Sequence, residues 1–141
     1  RSKIYRGCGI VLIDDSYNAN PTSMRAALEV LGRISLGRKI AVLGDMAELG
    51  EFSDDAHREL GAHLSSVPVD IVYWLGANGG LVKEGIAGRK PIKTFDRLDA
   101  LVGELEPELK PDDVVLVKAS RSCHLDKIVD RLLETVLKEE D

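Results

Sequence analysis

Positive charge is scarce in this chain relative to what a nucleic-acid surface needs. Nineteen Lys and Arg stand against 24 Asp and Glu, for a net charge of −5, whereas such surfaces are usually basic. No apolar run approaches the ~20 residues of a membrane span, so neither nucleic acid nor membrane is an expected partner. No signal peptide is read, because Arg-Ser-Lys opens the chain and no apolar segment follows it. Aromatics make up 4% of residues, and the single Trp, Trp74, lies in an apolar run where core packing is the default. There are two cysteines, Cys8 and Cys123. They are far apart and without metal-type spacing, and they read as reduced thiols of a cytosolic protein. Among the three histidines His57, His63 and His124, none pairs at zinc-ligand spacing beyond the loose His57/His63, so no metal site is expected. His57 falls in a helical stretch and reads as a packed or surface residue. Neither a Ser-His-Asp nor a Cys-His constellation is visible. The chain also lacks G-x-x-x-x-G-K-[ST], and no G-x-G-x-x-G follows a strand, so it carries no nucleotide-binding signature of its own.

What is present is an ordinary globular mix, 44% hydrophobic and 30% charged over 141 residues, enough for one domain spanning residues 1–141. The first residue is Arg, not Met, and the chain reads as a fragment of a longer protein or a processed one. Residues 10–13 (Ile-Val-Leu-Ile), 40–43 (Ile-Ala-Val-Leu), 71–75 (Ile-Val-Tyr-Trp-Leu) and 114–117 (Val-Val-Leu-Val) are continuous apolar runs, the pattern of strands covered on both faces. Residues 92–95 predict a shorter strand, and residues 2–6 a short, partly exposed edge strand. Helical stretches intervene: one with Met24, Ala27, Leu28 and Leu31 on one face, one capped by Ser53, two over residues 81–87 and 97–105. A last helix carries the stripe Leu125, Ile128, Val129, Leu132, Leu133 and Val136. The terminal Lys-Glu-Glu-Asp is expected to fray. Strand and helix alternate, which predicts a single α/β domain, a Rossmann-like, mostly parallel sheet with helices on both faces.

Three polar crests follow three of the buried strands: residues 14–20, 44–50 and 118–122. Carboxyl ends of parallel strands share one edge, and ligands of such sheets bind there, so the crests are expected on one rim. Loops face water in any case, so polarity alone marks no site. Asp14 and Asp15 suit ribose hydroxyls or a hydrated magnesium ion, and equally suit backbone amides of the turn. Tyr17 can stack on a base or line a pocket, or simply be half-buried with a wet hydroxyl. Asn18 and Asn20 both donate and accept, which fits an amide substrate. Asn20 before Pro21 also reads as a helix N-cap with Pro at the first helical position. Asp45 and Glu48 can receive an ammonium group or position a metal-bound water, or start a helix. Lys118, Ser120 and Arg121 place two cations and a hydroxyl at a strand end, an anion site in outline, to which the N-terminus of the following helix would add. A solvated Lys-x-x-Arg is the plainer alternative.

The run Asp-Asp-Ser-Tyr-Asn-Ala-Asn-Pro at residues 14–21, Gly-Asp-Met-Ala-Glu-Leu-Gly at 44–50 and Lys-Ala-Ser-Arg at 118–121 together resemble the C-terminal domain of the Mur ligases. The resemblance covers nearly the whole chain. It is narrowest to the branch that joins D-alanyl-D-alanine to UDP-N-acetylmuramoyl-tripeptide in peptidoglycan precursor synthesis. It implies a three-domain, ATP-dependent ligase in which an N-terminal domain holds the UDP-sugar and a central domain holds most of the ATP and Mg2+. This third domain would bring the amine substrate and close over ATP, be inactive alone, and have the other two domains as partners. It implies that Asp15, Tyr17, Asn18 and Asn20 face ATP or the acyl phosphate. Asp45, Glu48, Lys118, Ser120 and Arg121 would then bind substrate, with no catalytic residue and no metal ligand in this domain alone. Ala119 departs from the family's usual glycine, which matters if that position needs positive φ.

Two other readings compete. A folylpolyglutamate- or diaminopimelate-adding relative would have a shorter first crest containing a histidine. A receiver-like binding module would use an acidic pair, a strand-end Asp and a strand-end Lys, which Asp14, Asp15, Asp45 and Lys118 superficially supply. A receiver's acceptor Asp should end the third strand, whereas residues 71–75 end in Leu and lead into Gly76.

Overall fold

Alternate residues of each apolar run serve two separate cores, which is why the runs do not alternate with polar residues. In the computed structural model, which describes residues 2–138, Ile10–Asp14 (β2), Lys39–Gly44 (β3), Ile71–Leu75 (β4), Ile92–Phe95 (β5) and Val114–Lys118 (β6) are parallel strands. Lys3–Gly7 (β1) pairs antiparallel with β2 at the edge. The sheet order is β1-β2-β6-β3-β4-β5. Leu12, Val42, Tyr73, Val115 and Val117 point to one face, where Leu98–Leu105 (α4) and Asp126–Glu134 (α5) cover them. Ile13, Ala41, Leu43, Trp74 and Leu116 point to the other, under Pro21–Arg33 (α1), Ser53–Leu64 (α2) and Gly79–Ile86 (α3). This is the mostly parallel, doubly covered sheet that the alternation of strand and helix predicts.

Local chemistry fixes the element ends that matter here. Asn20 caps α1 in a reciprocal box: its side chain accepts from the Ser23 amide at 2.8 Å, while the Ser23 hydroxyl accepts from the Asn20 amide at 3.1 Å. The β1–β2 turn places Cys8 and Gly9 at φ 52° and 80°, the left-handed pair that a two-residue hairpin requires. α2 and α3 pack through Gly61 and Gly85. A Cβ on Gly85 would meet the Arg58 carbonyl at 2.0 Å, so only glycine permits the approach.

Several boundaries differ from expectation: the helix of residues 81–87 runs over Gly79–Ile86, the edge strand of residues 2–6 over Lys3–Gly7, and the helix of residues 97–105 starts at Leu98. Ser53 is the first residue of α2 rather than its cap, and its hydroxyl lies 3.4 Å from His57 Nδ1. The last helix begins at Asp126, not Leu125, because a 3-10 turn over Arg121–Cys123 and a left-handed His124 (φ 56°) intervene. It ends at Glu134, so Val136 at the end of the predicted stripe lies in the turn beyond, still packed on the core. Of the terminal residues expected to fray, all but Lys138 lie outside those described.

Candidate functional site

The chain steps outward from β3 to β5, then returns through α4 and inserts β6 between β2 and β3. The three crests therefore follow three neighbouring strands. The crest after β2 leads to α1 on one face, and the crest after β6 leads to α5 on the other. Adjacent strands whose connections diverge in this way open a crevice at their carboxyl ends. A groove of about 730 Å3 lies there, lined by Lys3, Asp14, Ser16, Tyr17, Arg121, His124 and Asp126.

The first and third crests are bolted together. Lys118, 3% exposed, donates from Nζ to Asp15 Oδ2 at 2.8 Å and to the Asn18 carbonyl at 3.0 Å. The Asp15 amide donates to the Val117 carbonyl at 2.9 Å. Lys118 is thus buried and spoken for, not a cation offered to solvent. Asp14 Oδ1 accepts from the Ser16 amide at 3.0 Å and the Ser16 hydroxyl at 2.6 Å, a local turn brace. Asn18 Oδ1 accepts from the Ala19 amide at 2.9 Å. Tyr17 is 60% exposed, more open than a half-buried ring. The Arg121 guanidinium lies 4.9 Å from the centre of its ring, and Nη1 reaches its hydroxyl at 3.4 Å, a cation–π contact across the groove. The α5 N-terminus adds less to an anion site than expected, since the 3-10 turn displaces it from the strand end and Asp126 occupies its first turn.

The second crest is held from beneath. Asp45 Oδ1 accepts from Trp74 Nε1 at 3.0 Å and from the Asn78 amide at 3.1 Å, and Oδ2 from the Ala77 amide at 2.9 Å. The Asp45 carbonyl accepts from the Ser120 amide at 3.0 Å, tying the second crest to the third. The Cys123 thiol sits 3.7 Å from the same carbonyl, and burial pushes its pKa up. Glu48 is exposed at φ 60°, a conformation that costs a non-glycine residue ~1–2 kcal/mol. Ser120 is 2% exposed, with its hydroxyl 3.0 Å from that of Ser122. Ala119 has no positive φ, and its methyl is fully buried against Gly44. The departure from glycine is therefore accommodated. Among the described residues no group of three His, Cys, Asp or Glu side chains can hold a metal ion.

Of the ten residues singled out in the sequence, Asp14, Tyr17 and Arg121 line the groove. Asn18 is exposed on the first crest next to Tyr17, and Asn20 is exposed one residue before α1. Asp15, Asp45, Lys118 and Ser120 are engaged within the protein, and Glu48 stands apart on the second crest. Lys3, His124 and Asp126 of the groove were not singled out. Lys3 reaches it only because β1 runs antiparallel and pairs Lys3 with Asp14, which no local signal reveals.

The family model described as the Mur ligase, glutamate ligase domain matches residues 1–121. The chain belongs to the Mur ligase family. The UDP-N-acetylmuramoyl-tripeptide–D-alanyl-D-alanine ligase of Bacillus subtilis is 35% identical over 133 residues, covering 92% of this chain and 29% of that protein. The MurF ligase of Thermotoga maritima, solved in complex with ADP, superposes with a TM-score of 0.81 at 32% identity, covering 94% of this chain and 30% of that one. A MurF structure from Acinetobacter baumannii gives 0.83 at 32% identity, over 94% and 30%. The chain thus spans about three-tenths of the length of these relatives. Membership in the Mur ligase family displaces the receiver-like reading, and the geometry agrees: the Asp45 carboxylate is closed in by Trp74, Ala77 and Asn78.

Proposed function

We propose that this chain is the third domain of an ATP-dependent, amide-forming ligase that joins D-alanyl-D-alanine to UDP-N-acetylmuramoyl-tripeptide. The observation that carries the reading is the meeting of the first and third crests at the crevice between β2 and β6, in a chain 35% identical over 92% of its length to a ligase of that name. The first crest, with Tyr17, Asn18 and Asn20 and no histidine, favours this branch over the folylpolyglutamate-type alternative.

The groove's groups suit a part-share of the substrates. Arg121 and Lys3 are cations able to meet a carboxylate or phosphate, Asp14 and Asp126 can meet an ammonium, and Tyr17 offers an open ring face. No G-x-x-x-x-G-K-[ST] loop is available to wrap a triphosphate. ATP and Mg2+ therefore belong mainly to the central domain of the parent, and ATP supplies the phosphoryl group that activates the tripeptide carboxylate. In this reading Tyr17, Asn18 and Asn20 face the nucleotide or the activated carboxylate. Arg121 and Glu48 face the incoming dipeptide. Asp15, Lys118, Asp45 and Ser120 act by holding those crests in place. Closure of this domain on the central one then excludes water from the activated acyl group and aligns the amine for attack. The amine's lone pair forms the new C–N bond as the acyl C–O bond to phosphate breaks. The other two domains are the partners of this one. A cytoplasmic location follows from the reading and suits the free thiols of Cys8 and Cys123.

The test is phosphate release by the full-length parent, with ATP, tripeptide precursor and dipeptide each omitted in turn. Release that requires all three is expected. Release with a single amino acid but not with the dipeptide would move the protein to another branch, and absence of ATP turnover would remove the ligase reading. In the same assay Arg121→Ala is expected to raise the KM for the dipeptide, and an effect confined to ATP would reassign it. Asn18→Ala is expected to lower turnover far more than stability.

A further inference from the structure

His57 lies wholly buried on α2, outside the groove, and its two ring nitrogens are both engaged. Nε2 is 3.1 Å from the Met46 amide, which can only donate, so Nε2 must accept. The proton of the neutral ring is then on Nδ1, which donates to the Ser53 carbonyl at 2.7 Å. The ring meets Trp74 edge-on, with centroids 5.8 Å apart and an 81° interplanar angle. Trp74 in turn donates to Asp45, whose carbonyl holds the Ser120 amide. One buried imidazole thus stands at the root of the second crest and, through Trp74 and Asp45, braces the third.

We propose that His57 is a positioning residue for the ligase reaction: held as the Nδ1–H tautomer, it fixes residues 46–48 and, through Trp74 and Asp45, the backbone of Ser120 beside Arg121. The inference rests on the ligase reading for its kinetic consequence, though not for its geometry. The imidazole's hydrogen-bond and ring partners, Met46, Ser53 and Trp74, are not among the residues that line the groove. Its contribution is to keep the amide of Met46 paired in a buried place, where an unpaired donor would draw the loop toward water. Displacements of about 1 Å at residues that orient a nucleophile are enough to lower rates on the order of 100-fold.

Two substitutions separate the role from simple packing. His57→Gln puts an amide oxygen where Nε2 stands and can still accept from Met46. His57→Asn keeps a donor for Ser53 and cannot reach Met46. Nitrogen-15 NMR of the 141-residue chain is expected to show the Nδ1–H tautomer at His57. The Asn variant is expected to lose hydrogen-exchange protection at the Met46 amide and to shift the Trp74 indole resonance, and the Gln variant to keep both. In the full-length ligase the Asn variant is expected to lose at least tenfold in kcat/KM for the dipeptide with the KM for ATP within twofold. The Gln variant is expected to stay within threefold of the parent. An Nε2–H tautomer, or unchanged Met46 protection in the Asn variant, would overturn the proposal. So would equal kinetic losses toward ATP and dipeptide that Gln does not rescue. If the parent enzyme forms no amide bond at all, the ligase reading falls, while the tautomer and the Met46 exchange still decide whether His57 holds the crest.

Discussion

Replacing Lys118 by Met leaves a carboxylate without its cation in the interior of the crest. The Lys118 side chain is 4% exposed and that of Asp15 is 18% exposed, with Nζ and Oδ2 2.8 Å apart. Removing one member of a buried ion pair typically costs ~3–5 kcal/mol, because the remaining charge keeps its desolvation penalty. Asp15 retains some contact with water, which moves the expectation to the low end. The Asn18 carbonyl also loses its donor at 3.0 Å, while the Met side chain recovers some apolar burial. The net expectation for Lys118→Met is a loss of about 3 kcal/mol. With a urea m-value of about 2 kcal/mol/M, the unfolding midpoint falls by roughly 1.5 M at unchanged slope. Adding Asp15→Asn to Lys118→Met removes the stranded charge and is expected to restore about 2 kcal/mol, a coupling that a double-mutant cycle reads directly. Because the pair is buried, the coupling should survive added salt. A single-variant loss below about 0.5 kcal/mol, or a coupling of that size, would mean that the pair behaves as a surface one. The first and third crests would then not be fastened by it.

Gly76 stands at φ +136°, where a Cβ would lie 2.4 Å from the Asp45 carboxylate. Gly76→Ala is expected to lower the melting temperature by about 10 °C, since strain of ~1–3 kcal/mol combines with displacement of the Asp45 hydrogen bonds. The control Gly80→Ala, on α3 with nothing within 4 Å, should raise it slightly, and equal shifts would refute the crowding argument. The Arg131 guanidinium, with help from the Thr135 hydroxyl, holds the Glu106 carboxyl below the ordinary glutamate range. A depressed folded value means that this stabilisation is present above the unfolded pKa of about 4.3 and is lost as pH falls through the folded value. Glu106→Gln should therefore flatten the acid side of a plot of melting temperature against pH; parallel curves for the two proteins would remove Glu106 from the acid transition. Ala119→Gly deletes a fully buried methyl and frees the backbone, which together cost about 1.5 kcal/mol by urea unfolding. A gain in stability would show that the family's usual glycine is the better fit here.

The sequence by itself determined the strands, because a strand covered on both faces must be apolar at every position, as residues 10–13 and 114–117 are. It determined the cap of α1, because Asn20, Pro21 and Ser23 act within one turn of chain. It also announced the family, through residue runs whose order along the chain needs no coordinates. A further signal stood in the open: His57, Leu60, Gly61 and Leu64 form the buried stripe of α2, and a polar residue in such a stripe must find partners. Which partners it finds was not legible, for Met46 and Trp74 reach it from a loop and a strand that no local spacing links to it. The insertion of β6 between β2 and β3 likewise belongs to the tertiary structure, since strand order depends on which neighbours bury the most surface across the whole sheet. That insertion turned Lys118 from an apparent solvent-facing cation into the partner of Asp15 and brought Arg121 over Tyr17, while the antiparallel pairing of β1 with β2 set Lys3 beside Asp14. Residue types state what chemistry is available at a strand end. Only the packing of distant segments decides which of those groups are consumed in holding the rim together and which are left facing the groove.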